Sequence, residues 1–549
     1  MEDSSADRAG IGVPLIVLLA GLLLMVLVGP RPKPPVRSAI GAGVELLTEG
    51  GWRSPGDEVR FGAPAEGTIL IASGPDGDFV PLPDGRFKLP MEDRMEAGRI
   101  LSTPISLNWR HPLNGLPVAQ VFRTALRTAD GVLQGEHIHT FLQRGHGALP
   151  IASLVLPRGA LFDPDTGLIV VGNGIFRAPA KVLLAEQRDP RWWKYPGNFH
   201  MRGKDWERRG SLQVLDSAGR EIFQREVDVR MNGQMTRAFP QHAFRLGFDP
   251  PLLVDLFGEP VGKGYEGLVL RAAGNDQIKA MMRDVFQHAL CTGLPFEVSG
   301  HRTCVLYVNG AYWGVHHLRP RMDGVELARR YGIKKKHVTI LEDEARLFHG
   351  DTALVVDFEH IAARCRAWDG KDSLWAKELE ARVDIDGFLT YMATQMILAN
   401  VDWPNQNVRF WRYTGPPRTD RPLDGRWYFI MGDSDLGYGV HAGPETDLFQ
   451  RVRAMDVPVT RIFLGLLRSP KYKERFIAVT RELATGPLGA RRSVALLDEL
   501  AARLRPEMER HTARWRRPAT LAEWEGHVAL MRNFAAKREK AVLEQLKRL

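Results

Sequence analysis

Read as a pattern of apolar and polar positions, the chain divides into four stretches. Ile11 to Gly29 is almost wholly apolar, with Leu15, Ile16, Leu18, Leu19, Leu22 to Leu24 and Leu27. About 20 such residues cross a bilayer as a helix. The run is long for a signal peptide, acidic residues Glu2, Asp3 and Asp7 precede it, and no small-x-small cleavage site follows, so an uncleaved single-pass anchor is expected. Pro30, Pro32, Pro34 and Pro35 make a stiff spacer that ends this first unit at 37. From 38 to 148 short strand-like runs, such as Thr68-Ile69-Leu70-Ile71, alternate with turn chemistry at Gly74-Pro75-Asp76-Gly77, Pro83-Asp84-Gly85 and Asp130-Gly131. Val121 to Arg127 alternates as a half-buried strand would, and a β-sandwich is the expected architecture. His137 and His139 share one strand face but have no visible third ligand, so they are expected on the surface rather than on a metal.

The third stretch, 149 to 485, mixes both periodicities, which makes the fold class α+β. Leu149 to Val155 reads as a buried strand, and Val227 to Met231 runs into a turn at Asn232-Gly233. Leu268 to Arg271 is a strand. After it, Gly274-Asn275-Asp276 is expected to cap one helix with Ile278, Met282, Val285 and Ala289 on a single face. Cys304 to Val308 and Tyr312 to Val315 flank an Asn309-Gly310 hairpin turn. A helix beginning near Asp384 or Asp386 carries Ile385, Phe388, Leu389, Met392 and Met396 along one side and delivers Asn400 at its end. In the last stretch, 486 to 549, Ser493 to Arg505 and Thr520 to Leu546 read as two helices. The second opens with capping-box spacing at Thr520 and Glu523.

Composition narrows the class. The 549 residues are 44% hydrophobic and 25% charged, enough for a sizeable core divided among several domains. A net charge of +9 suits an anionic neighbour, a membrane surface or nucleotide phosphates. No dense basic run with interleaved aromatics occurs, so nucleic acid is not an expected partner. Three cysteines, Cys291, Cys304 and Cys365, exclude a four-cysteine zinc site and a disulfide framework. No Walker-type G-x-x-x-x-G-K-[ST] is present, which removes P-loop enzymes.

The chemistry converges on 400 to 439. Asn400-Val401-Asp402-Trp403-Pro404 leads to Asn407, then to strand-like runs Val408 to Tyr413 and Arg426 to Met431, and then to Asp433-Ser434-Asp435. If the two runs pair antiparallel, Asp402 and Asn407 face Asp433 and Asp435 across one pocket. These are hard oxygen ligands of the kind magnesium takes. Asp, then Asn five residues on, then a hairpin, then Asp-Leu-Gly follows the order of parts in protein kinases. On local residues alone, simple turn capping is the alternative.

Together with Phe410-Trp411-Arg412, Trp427, Trp206-Glu207, Arg271, Asn275, Asp276 and Met282-Arg283-Asp284, these motifs resemble the CotH (spore coat protein H) family of atypical kinases over roughly 149 to 549. The resemblance implies a kinase-like domain at 149 to 485, preceded by a β-sandwich and followed by C-terminal helices. It implies ATP as phosphate donor with Mg2+ or Mn2+, and a serine or threonine hydroxyl of a protein as acceptor. Asp402 would then orient or deprotonate the hydroxyl. Asn407, Asp435 and Asp433 would serve the metal, with Asp433 open to a capping role instead. Arg230, Arg237, His242, Arg245, Arg271, Asn275 and Asp276 fall on the nucleotide side. Two positions depart from the family pattern: His242 stands where lysine is usual and Pro320 where glutamate is usual. Those departures keep open a nucleotide-binding pseudokinase or an envelope assembly scaffold, and a metal-dependent hydrolase would use the same carboxylates. The membrane side is left undecided: Arg31, Lys33 and Arg37 after the apolar run favour a cytoplasmic domain, whereas the resembling proteins are often exported.

Overall fold

The computed structural model describes residues 44–48, 51–63, 66–91, 109–143, 145–176 and 191–549. The expected anchor at 1–37 lies outside them; among the described residues no helix is long and apolar enough to cross a membrane. The class is mixed α and β.

Two small antiparallel sheets come first, built from β1 (Glu45–Leu46), β2 (Glu58–Gly62), β3 (Thr68–Ser73), β4 (Val80–Pro81), β5 (Arg86–Lys88), β6 (Gln120–Arg127) and β7 (Leu133–Phe141). Their orders are β1-β2-β5 and β4-β3-β6-β7. Val59 and Phe61 from one sheet and Ile71, Phe122, Leu126 and Phe141 from the other share a core. The half-buried pattern expected for Val121 to Arg127 is corrected. The strand is buried on both faces nearly throughout, because its outer face lies toward the next domain, where Val121 and Ile138 pack on Val155. Gln213 Nε2 donates to Ile138 O at 3.1 Å and Ser153 Oγ accepts from Thr140 Oγ1 at 2.8 Å, so polar groups buried there are paired. His139 is therefore not a surface residue. It is buried against Thr124, 2.8 Å away, and burial holds its imidazole well below the usual histidine range.

β8 (Ile151–Val155), β9 (Arg208–Leu215), β10 (Glu221–Met231), β11 (Phe244–Leu252), β12 (Tyr265–Arg271), β13 (Arg302–Val308) and β14 (Ala311–Pro320) close into a barrel in the order β10-β11-β12-β14-β13-β8-β9. Neighbours are antiparallel except β13 and β8. Closure leaves no open edge to pair with another chain. Alternate residues fill the interior, among them Val229, Phe244, Leu246, Leu268, Leu270 and Leu306. A second sheet, β15 (Val338–Glu342), β16 (Arg346–His349), β17 (Val408–Tyr413) and β18 (Trp427–Met431), has the order β16-β15-β17-β18. The helix Ile385–Ile397 packs beneath it, with Phe388 and Tyr391 stacked on Phe429 at ring separations of 4.7 and 5.1 Å. Fully burying one such ring contributes roughly 1.5–3 kcal/mol.

Two long helices brace both units. The first, Ala490–Trp515, continues through Pro506 rather than stopping at Arg505. The backbone bond lost at the proline is offset by what lies beyond it. Buried Glu507 accepts from the Tyr312 hydroxyl, and its Oε2 lies 2.7 Å from His146 Nδ1. Trp515 Nε1 donates to Trp313 O at 2.8 Å. The second, Leu521–Leu546, is capped by Thr520 Oγ1, which accepts from Glu523 N at 3.1 Å, while Glu523 reaches back to Ala519 N at 2.6 Å. Its Trp524 Nε1 donates to Ala280 O at 2.9 Å. Arg538, buried, donates to Ile397 O (2.8 Å), Met396 O (2.5 Å), Pro444 O (2.5 Å) and Thr446 O (2.8 Å).

Candidate active site

The hairpin of β17 and β18 sets the site. Val408 pairs with Met431, so Asn407 and Gly432 are neighbours at its open end. A Cβ on Gly432 would sit 2.3 Å from Asn407 O, and only glycine allows this approach. Asn407 adopts φ of 60°, a left-handed conformation that asparagine tolerates better than most residues. From there its Nδ2 donates to Asp402 Oδ2 at 2.9 Å. The loop carrying Asp402 is held at both ends. Asn400, buried at the end of helix Ile385–Ile397, donates to Asp433 O at 3.3 Å; Arg451 Nε donates to Trp403 O at 2.9 Å.

Asp433 and Asp435 meet residues from β12 and the turn after it. Arg271 donates to Asp433 Oδ1 at 2.5 Å and lies 3.6 Å from Asp435 Oδ2. Asn275 N donates to the same Oδ2 at 2.6 Å. Gly274, at φ of 59°, makes room: a Cβ there would fall 2.0 Å from Asp435 Oδ2. Burial, and then the Asp433 charge, push the Asp435 carboxyl well above its ordinary value. Burial and Asp433 also raise Asp402. Crowded carboxylates that resist ionising are what a cation would relieve. Among the described residues no group of three or more His, Cys, Asp or Glu side chains forms a metal cage. That is compatible with magnesium, which usually takes one or two carboxylates and completes its shell with water and phosphate.

Two residues of this cluster were given no role by the sequence reading. Asp284 accepts from Ser434 N at 3.0 Å and pairs with the buried Arg319 guanidinium; Arg271 Nε lies 3.7 Å away. Burial pushes Asp284 up, but Arg319 and then Arg271 outweigh it and hold the carboxyl well below the usual range. The Met282-Arg283-Asp284 motif was a signal for Asp284, whereas nothing local marks Arg319.

The nucleotide-side residues separate by face. Arg230, Arg245, Val269 and Arg319 form one register row across β10, β11, β12 and β14, all outside the barrel, with Arg271 two residues beyond Val269. Arg230 pairs with Glu207 at 2.9 Å. The Arg245 side chain makes no hydrogen bond or ion pair among the described residues. Burial, with Arg321 and Arg230 nearby, holds its guanidinium down at about 10. Three other expected ligands serve the barrel wall and the turn instead. Arg237 donates to Gly233 O (2.6 Å) and Met201 O (2.9 Å). His242 lies in the turn just before β11. It is fully buried beside Phe199, 2.9 Å from Arg237 O through Nδ1, and burial lowers it to about 4. Asp276 accepts from Ala280 N (3.1 Å) and Arg283 N (2.9 Å) and pairs with the Arg283 guanidinium. These bonds also break the expected single helix. A short 3-10 turn, Gly274–Ile278, precedes helix Arg283–Leu290, and Met281 between them sits at φ of 65°. Pro320 pairs with Leu268 and is buried on the barrel side.

A family model described as CotH kinase protein matches residues 229–542, more than half of the chain. The chain belongs to the CotH kinase family. The CotH match begins inside β10 and ends within the last helix, so it includes the arginine row, the Asp402, Asp433 and Asp435 carboxylates and Arg538. CotH membership brings a kinase-like function. No curated protein matches the chain.

Proposed function

We propose that this CotH protein is a metal-dependent phosphotransferase that moves the γ-phosphate of ATP to a serine or threonine hydroxyl of a protein. The observation that carries the reading is the meeting of Asp402, Asn407, Asp433 and Asp435 at one hairpin end, beside the Arg271 guanidinium. Asn407 and Asp435, with Asp433, would hold Mg2+ or Mn2+, which when bound neutralises charge on the phosphate oxygens. Asp402, fixed by Asn407, orients the acceptor hydroxyl and takes its proton as the oxygen–phosphorus bond forms and the β–γ bridging bond breaks. Arg245 and Arg230 supply fork-shaped donors for the phosphates, with Arg271 and Asn275 closing the inner end. Residues 1–37 complete the reading as a single-pass anchor, so a chain starting at Ser38 is expected to be soluble and to bind nucleotide.

The second reading, a nucleotide-binding pseudokinase or scaffold, draws on Arg271 engaging Asp433 and on the neutral, buried His242. Incubation of the purified protein with labelled ATP, a divalent metal and a mixed protein substrate separates the readings. Metal-dependent label on protein, abolished by chelation, supports transfer. Saturable nucleotide binding without labelled protein supports the pseudokinase. Free phosphate alone indicates a hydrolase.

A further inference from the structure

Helix Arg283–Leu290 works on two sides. One face presents Asp284, Gln287 and His288 to the loop carrying Asp433 and Asp435: Gln287 Nε2 donates to Ser434 O at 2.7 Å, and His288 Nε2 lies 3.1 Å from Gly432 O. About a quarter-turn or more around the helix, Val285, together with Met282 at the helix start, faces a half-open cavity of about 400 Å³ between the barrel and helix Ala490–Trp515. Its apolar lining includes Leu149, Ile222, Leu256, Phe257 and Leu504.

The polar lining is unbalanced. Asp216 is neutralised by Arg220 at 2.8 Å. The Arg302 side chain donates only to Leu256 O, at 2.9 Å, and the exposed Arg503 side chain has no partner among the described residues. His301, half-buried, lines the cavity and makes no side-chain hydrogen bond among the described residues. Burial, and then the Arg319 charge, hold its imidazole down at about 4, so at neutral pH it is uncharged and offers one donor and one acceptor.

We infer that this cavity is a second binding site, separate from the catalytic cleft, for a small anionic amphiphile. Its apolar tail lies along Leu256, Phe257 and Val285, and its carboxylate or phosphate head meets His301, Arg302 and Arg503. The site stands whether or not the protein transfers phosphate. Since one helix walls both pockets, the occupant bears on the loop that positions Asp435.

Decanoate is the probe, titrated by calorimetry into the full chain, with decanol as the uncharged control and decyl phosphate to distinguish a phosphate from a carboxylate head. Saturable one-site binding is expected, about tenfold weaker for decanol, as loss of one charge-assisted contact would give. Arg503→Glu should weaken decanoate binding at least about tenfold by setting a carboxylate against the head group. Ser217→Trp, at an exposed turn of the rim, should block entry without disturbing the core. Arg505→Glu, which alters an exposed residue outside the lining, should change nothing. Absence of saturable binding by either anionic probe overturns the inference. So does binding that Arg503→Glu and Ser217→Trp leave intact, which would place the amphiphile on the apolar run 11–29. Preference for decanol over decanoate overturns the anionic assignment.

Discussion

Along β10, β11, β12 and β14, successive residues face two different environments. Inward lie Val229, Phe244, Leu246, Leu268 and Leu270, with His316 kept neutral by burial, as is His242 in the turn before β11. Outward, in register, lie Arg230, Arg245 and Arg319, and beside them the Arg271 guanidinium that spans Asp433, Asp435 and Asp284. The same strands thus make a core that excludes charge and a cleft that concentrates it. Which role a polar residue plays on these strands follows from its parity; His242, just before β11, is set by burial instead, which leaves its imidazole uncharged at neutral pH.

The largest effects should come from the cleft. Asp402→Asn is expected to lower phosphate transfer about 10²–10⁴-fold while leaving nucleotide affinity nearly unchanged. Asp435→Ala and Asn407→Ala should instead weaken binding of the magnesium nucleotide. Binding titrations run beside label incorporation distinguish the two outcomes, and unchanged transfer in Asp402→Asn would remove that residue from the mechanism.

Next in size is Asp284→Ala, which strands the buried Arg319. About 3–5 kcal/mol of stability should be lost, read as a shifted urea midpoint. A loss below about 1 kcal/mol would mean that Arg319 finds water or another carboxylate.

The two faces should also separate by pH. His242 and His316 titrate at about 4 in the fold, below the roughly 6.5 of an unfolded histidine. The unfolded chain therefore binds more protons between these values. Stability is full above about 6.5 and falls as the pH drops, by up to about 1.4 kcal/mol per pH unit for each such histidine. Asp284 has the opposite origin. Its folded value is depressed, so its contribution persists down to about 3.9 and is lost only below that. Denaturation midpoints measured from pH 7 to 4 should decline early, with a shallower slope in His242→Leu.

The smallest effect contrasts the enclosed His242 with the outward-facing Arg245. His242→Ala should leave nucleotide affinity within about twofold and flat between pH 6 and 8, whereas Arg245→Ala should cost about tenfold through one lost charged contact. A strong loss in His242→Ala, with binding that falls as pH rises, would return the cationic role to that histidine.

What could be read from the sequence follows the range of each interaction. The hairpin at 408–431 and the helix before it are local, and Pro416-Pro417, Asp424-Gly425 and the Ile385-Phe388-Leu389 spacing announce them. Barrel closure depends on β8 pairing with β13, strands separated by about 150 residues, for which no local pattern exists. Asp284 and Arg319 come from different elements and become partners only once β14 lies beside β12. At Pro506 a local rule gave way to packing farther along the same helix. In β6, an alternating pattern hid a strand buried on both faces because its second face meets another domain.

Arg538 gives the molecule an order of events. Its guanidinium ties off the carbonyls at the end of the helix that leads to Asp402, yet it is synthesised long after that loop. On the ribosome the loop of Asp402 and Asn407 emerges first, behind a helix whose last turn has no clamp. Through this single side chain, the end of that helix gains its clamp only when the final bracing helix has been made and docked.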